Sequence, residues 1–446
     1  MQNDGSLRIE SAVEVQEDFH IVTRKASLVQ FLRDPVSFFR SLSQHDGSLT
    51  EISLGMRNFY VLSDPHIIRD ILATRGGMFE KFPQGNPKQK LFGSGLLTSE
   101  GAAQKRQRRM LLPGFHREKL QLYARQMVAS VERLTASWTD GCKVDVSHAM
   151  NDVTLEIIGS TLLGVDDKCV MDELGAHLHT MLNMVNRFVL PWGDWLMKLP
   201  LPSTIRYRNA STKLDEIVQR LIGEARRQNA SDNLIGMLVE SSLSGTEIRD
   251  EIVTMIVAGH ETVAVGLTWS LFLLARYPQL QDELAARVVD VLGGEDPTAD
   301  DYPRLEFLQH AFAETLRMYP PIWILGRRNL EDYTIRNFHA PKGSVFLVCM
   351  ADLHRRAEFF TDPDDFRPER WAAPDWPTYA YIPFGGGERR CIGERFAWME
   401  AVIVLACLVR KWRFTAVDAK TPATSAKLTL HPRGPMHLRV SPRLSG

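Results

Sequence analysis

The segment Ile252–Ala275 constrains this chain more than any other. It is 24 residues long and mostly apolar, long enough to cross a bilayer as a helix. Its middle, however, carries Gly259, His260 and Glu261. Charge inside a membrane is costly, so the interruption favours a buried core helix with a functional break over a membrane span. The helix is expected to start near Thr246, a good N-cap, and to run to Arg276 ahead of Pro278. Its 30 residues from Glu247 would reach about 45 Å, enough to cross a whole domain.

Composition fits a globular frame around that helix. The 446 residues are 44% hydrophobic and 24% charged, and a chain this long can bury about 75% of its unfolded surface. With 53 basic and 54 acidic residues the net charge is −1, which argues against a nucleic-acid partner. Cys142, Cys169, Cys349, Cys391 and Cys407 form no CxxC pair, which argues against structural zinc and for a reducing compartment. The N-terminus lacks a basic region followed by an apolar run, so no signal peptide or membrane anchor is expected and the location reads as cytoplasmic. A polar tail over residues 1–20 and a single domain over 21–446 are expected.

Apolar spacing predicts helices over Gln279–Val291 and Leu305–Met318. Strands are expected at Thr50–Leu54, Phe59–Leu62 and Ser344–Met350, with a C-terminal hairpin around His431-Pro-Arg-Gly434. Five prolines between Pro363 and Pro383 exclude regular helix or central strand there. The fold class is mainly α with minor β sheets.

Downstream lies Phe384-Gly-Gly-Gly-Glu-Arg-Arg-Cys-Ile-Gly393. Gly385, Gly386 and Gly387 allow a tight turn and close approach to a large ligand. Cys391 precedes an apolar helical run through Phe396, Ala397 and Met399. Its sulfur is therefore placed at a helix N-terminus, where backbone N–H groups favour the thiolate. Arg389 adds positive charge or grips an anion. A thiolate held this way is a soft donor to a metal. Other readings compete. A lone cysteine is most often a small buried hydrophobe, which fits poorly with three glycines and flanking charges. A nucleophile needs a base partner, and the sequence reveals none. A dinucleotide loop fails at Arg390, which stands where the third glycine belongs.

The loop resembles the haem-binding signature F-x-x-G-x-R-x-C-x-G of the cytochrome P-450 family at Phe384, Gly387, Arg389, Cys391 and Gly393. At average residue usage, five fixed positions match by chance in about one such chain in ten thousand. The resemblance implies the cytochrome P-450 fold, with a long central helix over the haem and the cysteine loop below. It implies haem b (iron protoporphyrin IX) as cofactor and Cys391 as its axial metal ligand; thiolate ligation favours O–O cleavage.

Within the central helix, Ala258-Gly-His-Glu-Thr262 pairs an acid with an alcohol. An alcohol can donate a hydrogen bond to reduced oxygen, and an acid can replenish the proton. The plain alternative is a helix irregularity, with Thr262 bonded back to a carbonyl. Gly259 removes a side chain where a small ligand needs room. The segment is similar to the family's oxygen-activation motif A/G-G-x-D/E-T-T/S, with Val263 in the last position. That likeness implies catalytic roles for Gly259, Glu261 and Thr262. A zinc-protease H-E-x-x-H reading fails at Ala264.

Glu314 and Arg317 are an i,i+3 pair of opposite charge. Glu224 and Arg227 match the same pattern, so by itself it reads as a solvated surface pair. Context separates them: an apolar helix ends at Tyr319-Pro-Pro321, and Phe366-Arg-Pro-Glu-Arg-Trp371 lies downstream. This looks like the family's E-x-x-R helix and P-E-R segment, and implies a buried Glu314–Arg317–Arg370 cluster locking the proline-rich stretch beneath the haem. The basic run Gly101–Phe115 reads simply as a solvated helical face. It also resembles the family helix whose Trp or His, with Arg four residues later, contacts a haem propionate. Arg108 fits the Arg position and Gln104 replaces the Trp or His. Arg327 and Arg389 are the other implied propionate partners, since a guanidinium fork suits carboxylates. Lys105, Arg106, Arg109 and Arg390 form an expected basic patch for an acidic electron donor.

These motifs span roughly Phe31–Arg443 and imply a monooxygenase that inserts one atom of O2 into an apolar small molecule by hydroxylation or epoxidation. The pocket is expected from Phe79–Leu97, Met181–Trp195, the central helix and Ile322-Trp-Ile-Leu325, whose residues suit a terpenoid, fatty-acyl or polyketide-like substrate of secondary metabolism. No flavin or iron–sulfur module is visible, so a ferredoxin or flavodoxin-type donor with its reductase is expected, acting on a monomer. A haem-thiolate isomerase, dehydratase or peroxygenase would typically lack the acid–alcohol pair. A non-enzymatic haem sensor would usually carry an output module.

Overall fold

The structure, a computed structural model, describes residues 19–25, 28–43, 48–54, 57–81, 89, 92–184, 195, 197–228, 233–418 and 420–443. Most of the expected tail, residues 1–18, lies outside these. Phe19 already belongs to the fold: it is buried, and its backbone exchanges hydrogen bonds with the Asn337 side chain at 3.1 and 3.0 Å.

The central helix covers Gly245–Arg276, 32 residues, or about 48 Å. Its N-cap is Ser244 rather than Thr246. The spacing explains the shift: Ser244 accepts from the Glu247 N–H, and the Glu247 carboxylate accepts from the Ser244 N–H at 2.9 Å, a capping box that Thr246 could not form with Glu247. The helix is long and apolar enough to cross a membrane, yet 83% of its most apolar stretch is buried inside the protein. A helix hydrophobic all round needs other protein on every side. Here the helices Val146–Ile158, Glu306–Met318 and Glu394–Lys411 pack against it. Trp269 stacks on Tyr319 with ring centres 3.8 Å apart, and its indole N–H donates to the Leu430 carbonyl at 3.0 Å. That bond ties the middle of the molecule to the C-terminal β structure.

Among the described residues the β structure forms four sheets. The largest orders its strands Ile21–Lys25, Leu49–Leu54, Arg57–Leu62, Val345–Cys349, Ile324–Asn329 and Phe79–Glu80. The expected pair near residue 55 is antiparallel, with Leu49 opposite Leu62. The expected hairpin around His431–Gly434 does not form. Leu430–Pro432 pairs back with Thr424–Ala426, while His437–Pro442 joins Trp412–Ala416 and Lys143–Asp145. Pro432 and Pro435 flank the turn and cannot donate to a ladder, and Gly434 at φ 90° redirects the chain into another sheet. The proline-rich stretch holds short 3-10 turns at Pro368–Ala372 and Thr378–Ala380.

Candidate active site

The cysteine loop is built by its glycines. Gly385 and Gly387 have φ of 73° and 64°, a left-handed conformation that side chains disfavour. The Cys391 N–H donates to the Phe384 carbonyl at 2.9 Å, closing the loop. Gly387 has a second constraint, since a Cβ there would lie 2.0 Å from the Leu72 carbonyl oxygen. Gly387 thus serves packing against the Asp70–Thr74 turn rather than ligand approach. Gly387→Ala is expected to cost more than about 1 kcal/mol. It should lower both the thermal midpoint and the haem content read by absorbance. Gly434→Ala, where nothing lies within 4 Å, should keep its haem.

Cys391 has accessible surface, yet it sits deep in the protein. The surface it exposes is the wall of a cavity of about 940 Å³, at the upper end of the ~300–1,000 Å³ typical of ligand pockets. The helix behind it begins at Glu394, with Gly393 as N-cap, so the sulfur stands outside the first turn. Burial pushes the thiol up to about 11, outweighing the Gly393 N–H directed at it and the charges of Arg108 and Lys81. The helix terminus does favour the thiolate through the Gly393 N–H, as expected, but burial outweighs it, and a bound cation is what would deprotonate the sulfur.

The central helix opens onto the same cavity. Ala258 is exposed and Gly259 and Thr262 are half-exposed within an otherwise buried stretch, and all three line the same cavity as Cys391. The Thr262 hydroxyl donates to the Ala258 carbonyl at 2.8 Å. A Cβ on Gly259 would meet Ile158 at 2.7 Å, so the space it releases admits the neighbouring helix rather than a ligand alone. Glu261 is buried on the cavity wall; its Oε1 accepts from the Thr429 hydroxyl at 2.9 Å and meets His431 Nε2 at 2.8 Å. Burial alone would push this carboxyl up. The bond and charge of His431, with His260 and Thr429, outweigh it and hold the carboxyl below its ordinary value.

A third wall is cationic. Lys81, Arg108, Arg327 and Arg389 all line the cavity beside buried Gln104. Arg389 pairs with Glu100 and donates to the Ser99 carbonyl at 2.9 Å, and Arg108 donates to the Arg390 carbonyl at 2.7 Å. Burial, with Arg389 adding to it, pushes Arg327 down to about 10. Burial, then Arg389 and Arg327, pushes Lys81 down to about 7. Three guanidinium groups around one carboxylate, with Lys81 beside them, leave positive charge wanting an anionic ligand. A group with two carboxylates, a flat apolar body and a metal for the thiol fits this wall, the apolar lining and Cys391 together; haem b has those parts.

Beneath, Glu314 and Arg317 are both fully buried. Glu314 accepts from Arg317 at 2.9 Å through each oxygen, from Arg370 and the Arg367 N–H at 3.0 Å, and from the Trp371 indole at 3.0 Å. Arg317 also donates to the carbonyls of His354, Pro363 and Asp365.

Other expectations are met unevenly. Lys105, Arg106 and Arg390 face Glu388, Glu247 and Glu394, so the basic patch is largely neutralised, with Arg109 exposed beside it. Ile322, Trp323, Ile324 and Leu325 line the cavity as expected, as do Leu96 and Leu97. Residues 82–88, 90–91 and 185–194 lie outside the described residues. Phe31, Phe39, Phe59 and the hairpin residues Ala426–Thr429 also line it. Lys81 falls in the expected Phe79–Leu97 stretch; no local signal marked the others, nor Glu100 or His431, because long-range pairing brings them in.

A lone cysteine, a cationic wall and an acid–alcohol pair thus line one large apolar cavity, a set that suits a haem-thiolate protein. The cytochrome P-450 family model matches residues 23–439, and the chain belongs to that family. It is 33% identical to pentalenene oxygenase of Streptomyces avermitilis over 94% of this chain and 95% of that one. It is 32% identical to cyclooctatin synthase of Streptomyces melanosporofaciens, covering 92% of each chain. Cyclooctat-9-en-7-ol 5-monooxygenase of the same organism is 32% identical over 87% of each. The protein is a monooxygenase of the haem-thiolate class, with haem b as its cofactor, O2 as co-substrate, electrons from redox partners and an apolar substrate.

Proposed function

We propose that Cys391 ligates the haem iron, with Phe384, Gly387 and Gly393 shaping its loop. Arg108, Arg327 and Arg389, joined by Lys81 and Gln104, grip the two propionates. The substrate is an apolar terpenoid, a reading supported by the aromatic and aliphatic lining and by the relatives' names. When bound, the haem supplies the activation of O2 by two successive electrons. The chain's residues do the rest. The apolar walls exclude water and orient the substrate. Thr262 holds a donor hydroxyl at the cavity, and the Glu261 carboxylate relays the proton that restores it. Gly259 lets the helices close behind them. Electrons come from a ferredoxin or flavodoxin-type donor that docks beside Arg109, in the cytoplasm.

The observation that carries this reading is that Cys391, Thr262 and Glu261 line one and the same cavity. The test is Thr262→Ala. It is expected to retain haem and the wild-type spectrum while product formation on a terpene hydrocarbon falls by at least about 10²-fold and hydrogen peroxide per NADPH rises. Unchanged coupling would overturn the role of Thr262.

A further inference from the structure

The acid of the acid–alcohol pair has no solvent exposure of its own to speak of. The Glu261 side chain is 8% exposed, while that of His431, bonded to it at 2.8 Å, is 28% exposed. Glu261 Oε1 takes both contacts, from Thr429 and His431; Oε2 is buried without a partner. The carboxylate thus stands between a half-exposed imidazole on one side and the cavity on the other. The other titratable group acting on the pair is His260, fully buried and bonded through Nδ1 to the Ile256 carbonyl at 2.7 Å. Burial pushes His260 down, so it is a poor carrier of protons. Thr429 positions the acid but has no ionisable proton near neutrality. His431 alone among these groups combines a titratable ring, contact with the acid and exposure to solvent.

We propose that His431 is the proton carrier that recharges Glu261 from solvent. This rests on the reading that Glu261 supplies the proton for Thr262. The step is one proton and no electrons: the protonated imidazole Nε2 gives its proton to Glu261 Oε1, and the neutral ring takes another from water. Near neutral pH histidine is the side chain suited to such a shuttle. Thr429 and His431 lie on the hairpin that also contributes Ala426, Lys427 and Leu428 to the cavity wall. The element that meets the substrate therefore also holds the proton donor.

The test compares haem-loaded wild type, His431→Gln and Glu261→Gln. Glutamine at 431 can still donate a hydrogen bond but cannot carry a proton. In the reduced, CO-bound protein, the ring carbon-bound proton of His431 is assigned in NMR spectra by its loss in His431→Gln. It should titrate differently once Glu261 becomes Gln. Oxygen consumption driven by a ferredoxin and its reductase, with no substrate added, is then followed over about pH 6–8. His431→Gln should be at least about ten-fold slower and lose the pH step seen in wild type, with the CO spectrum intact. If Glu261→Gln is slow while His431→Gln keeps the wild-type rate and pH profile, the carrier role is wrong and the role of Glu261 stands. Should Glu261→Gln itself run at the wild-type rate, both fall. An NMR titration unaffected by Glu261→Gln overturns the pairing directly. His431→Asn replaces the Gln variant should the latter fail to bind haem.

Discussion

Glu314→Ala is expected to leave little folded, haem-loaded protein. The carboxylate sits with no exposed surface and accepts from two guanidinium groups, an indole and a backbone N–H. Alanine leaves Arg317 buried and charged, with only carbonyl partners. Removing one member of a fully buried pair costs about 3–5 kcal/mol, because the partner's charge is left uncompensated. That is a large share of the ~5–15 kcal/mol that holds an ordinary domain. The damage should also spread. Arg370, Arg367 and Trp371 anchor the proline-rich stretch to Glu314, and that stretch leads into Pro383 and the cysteine loop. Soluble yield, haem content and denaturant midpoint should all fall. Lys105→Ala, which breaks an exposed pair with Glu388, should change none of them measurably. A Glu314→Ala protein with a wild-type midpoint would show that the cluster is not what fastens the loop.

The contrast between Glu314 and Glu224 shows what a sequence can and cannot reveal. Both precede an arginine by three residues, and spacing alone cannot separate them. The Pro-Pro turn marked where the helix ends, but that the later Pro-Glu-Arg segment returns to it was implied only by the family resemblance. The cysteine loop was equally legible, since its constraints are local: two left-handed glycines and a carbonyl–amide closure within ten residues. The central helix was legible in extent but off by two residues at its start, where a reciprocal cap with Glu247 outweighed a single good capping residue. The C-terminal hairpin was misplaced because Pro432 ends one ladder opposite Thr424 and Gly434, in a left-handed conformation, turns the chain into another sheet. Glu100 and His431 left no local trace, and Lys81 only a place in the expected Phe79–Leu97 stretch. Lys81 gains meaning only from Arg327 and Arg389, and His431 only from Glu261, 170 residues away. The environment of Cys391 was half legible for a related reason: the sequence shows the nearby helix terminus that favours the thiolate, but not the burial that opposes it.

Cys391→Ser should have the largest effect on chemistry with little effect on packing. The side chain shrinks by the difference between sulfur and oxygen, the loop closure to Phe384 is a backbone bond, and Gly393 still caps the helix. What is lost is the soft donor. The cationic wall would still attract the propionates, so haem binding should persist in part, with different ligation and with monooxygenation abolished. The direct measurement is the absorbance spectrum of the reduced, CO-bound protein, wild type beside Cys391→Ser. The wild type should show the far-red-shifted Soret band of thiolate ligation, and the variant should lack it. A wild type without that band, or a serine variant that keeps it, would contradict the assignment of this sulfur to the iron.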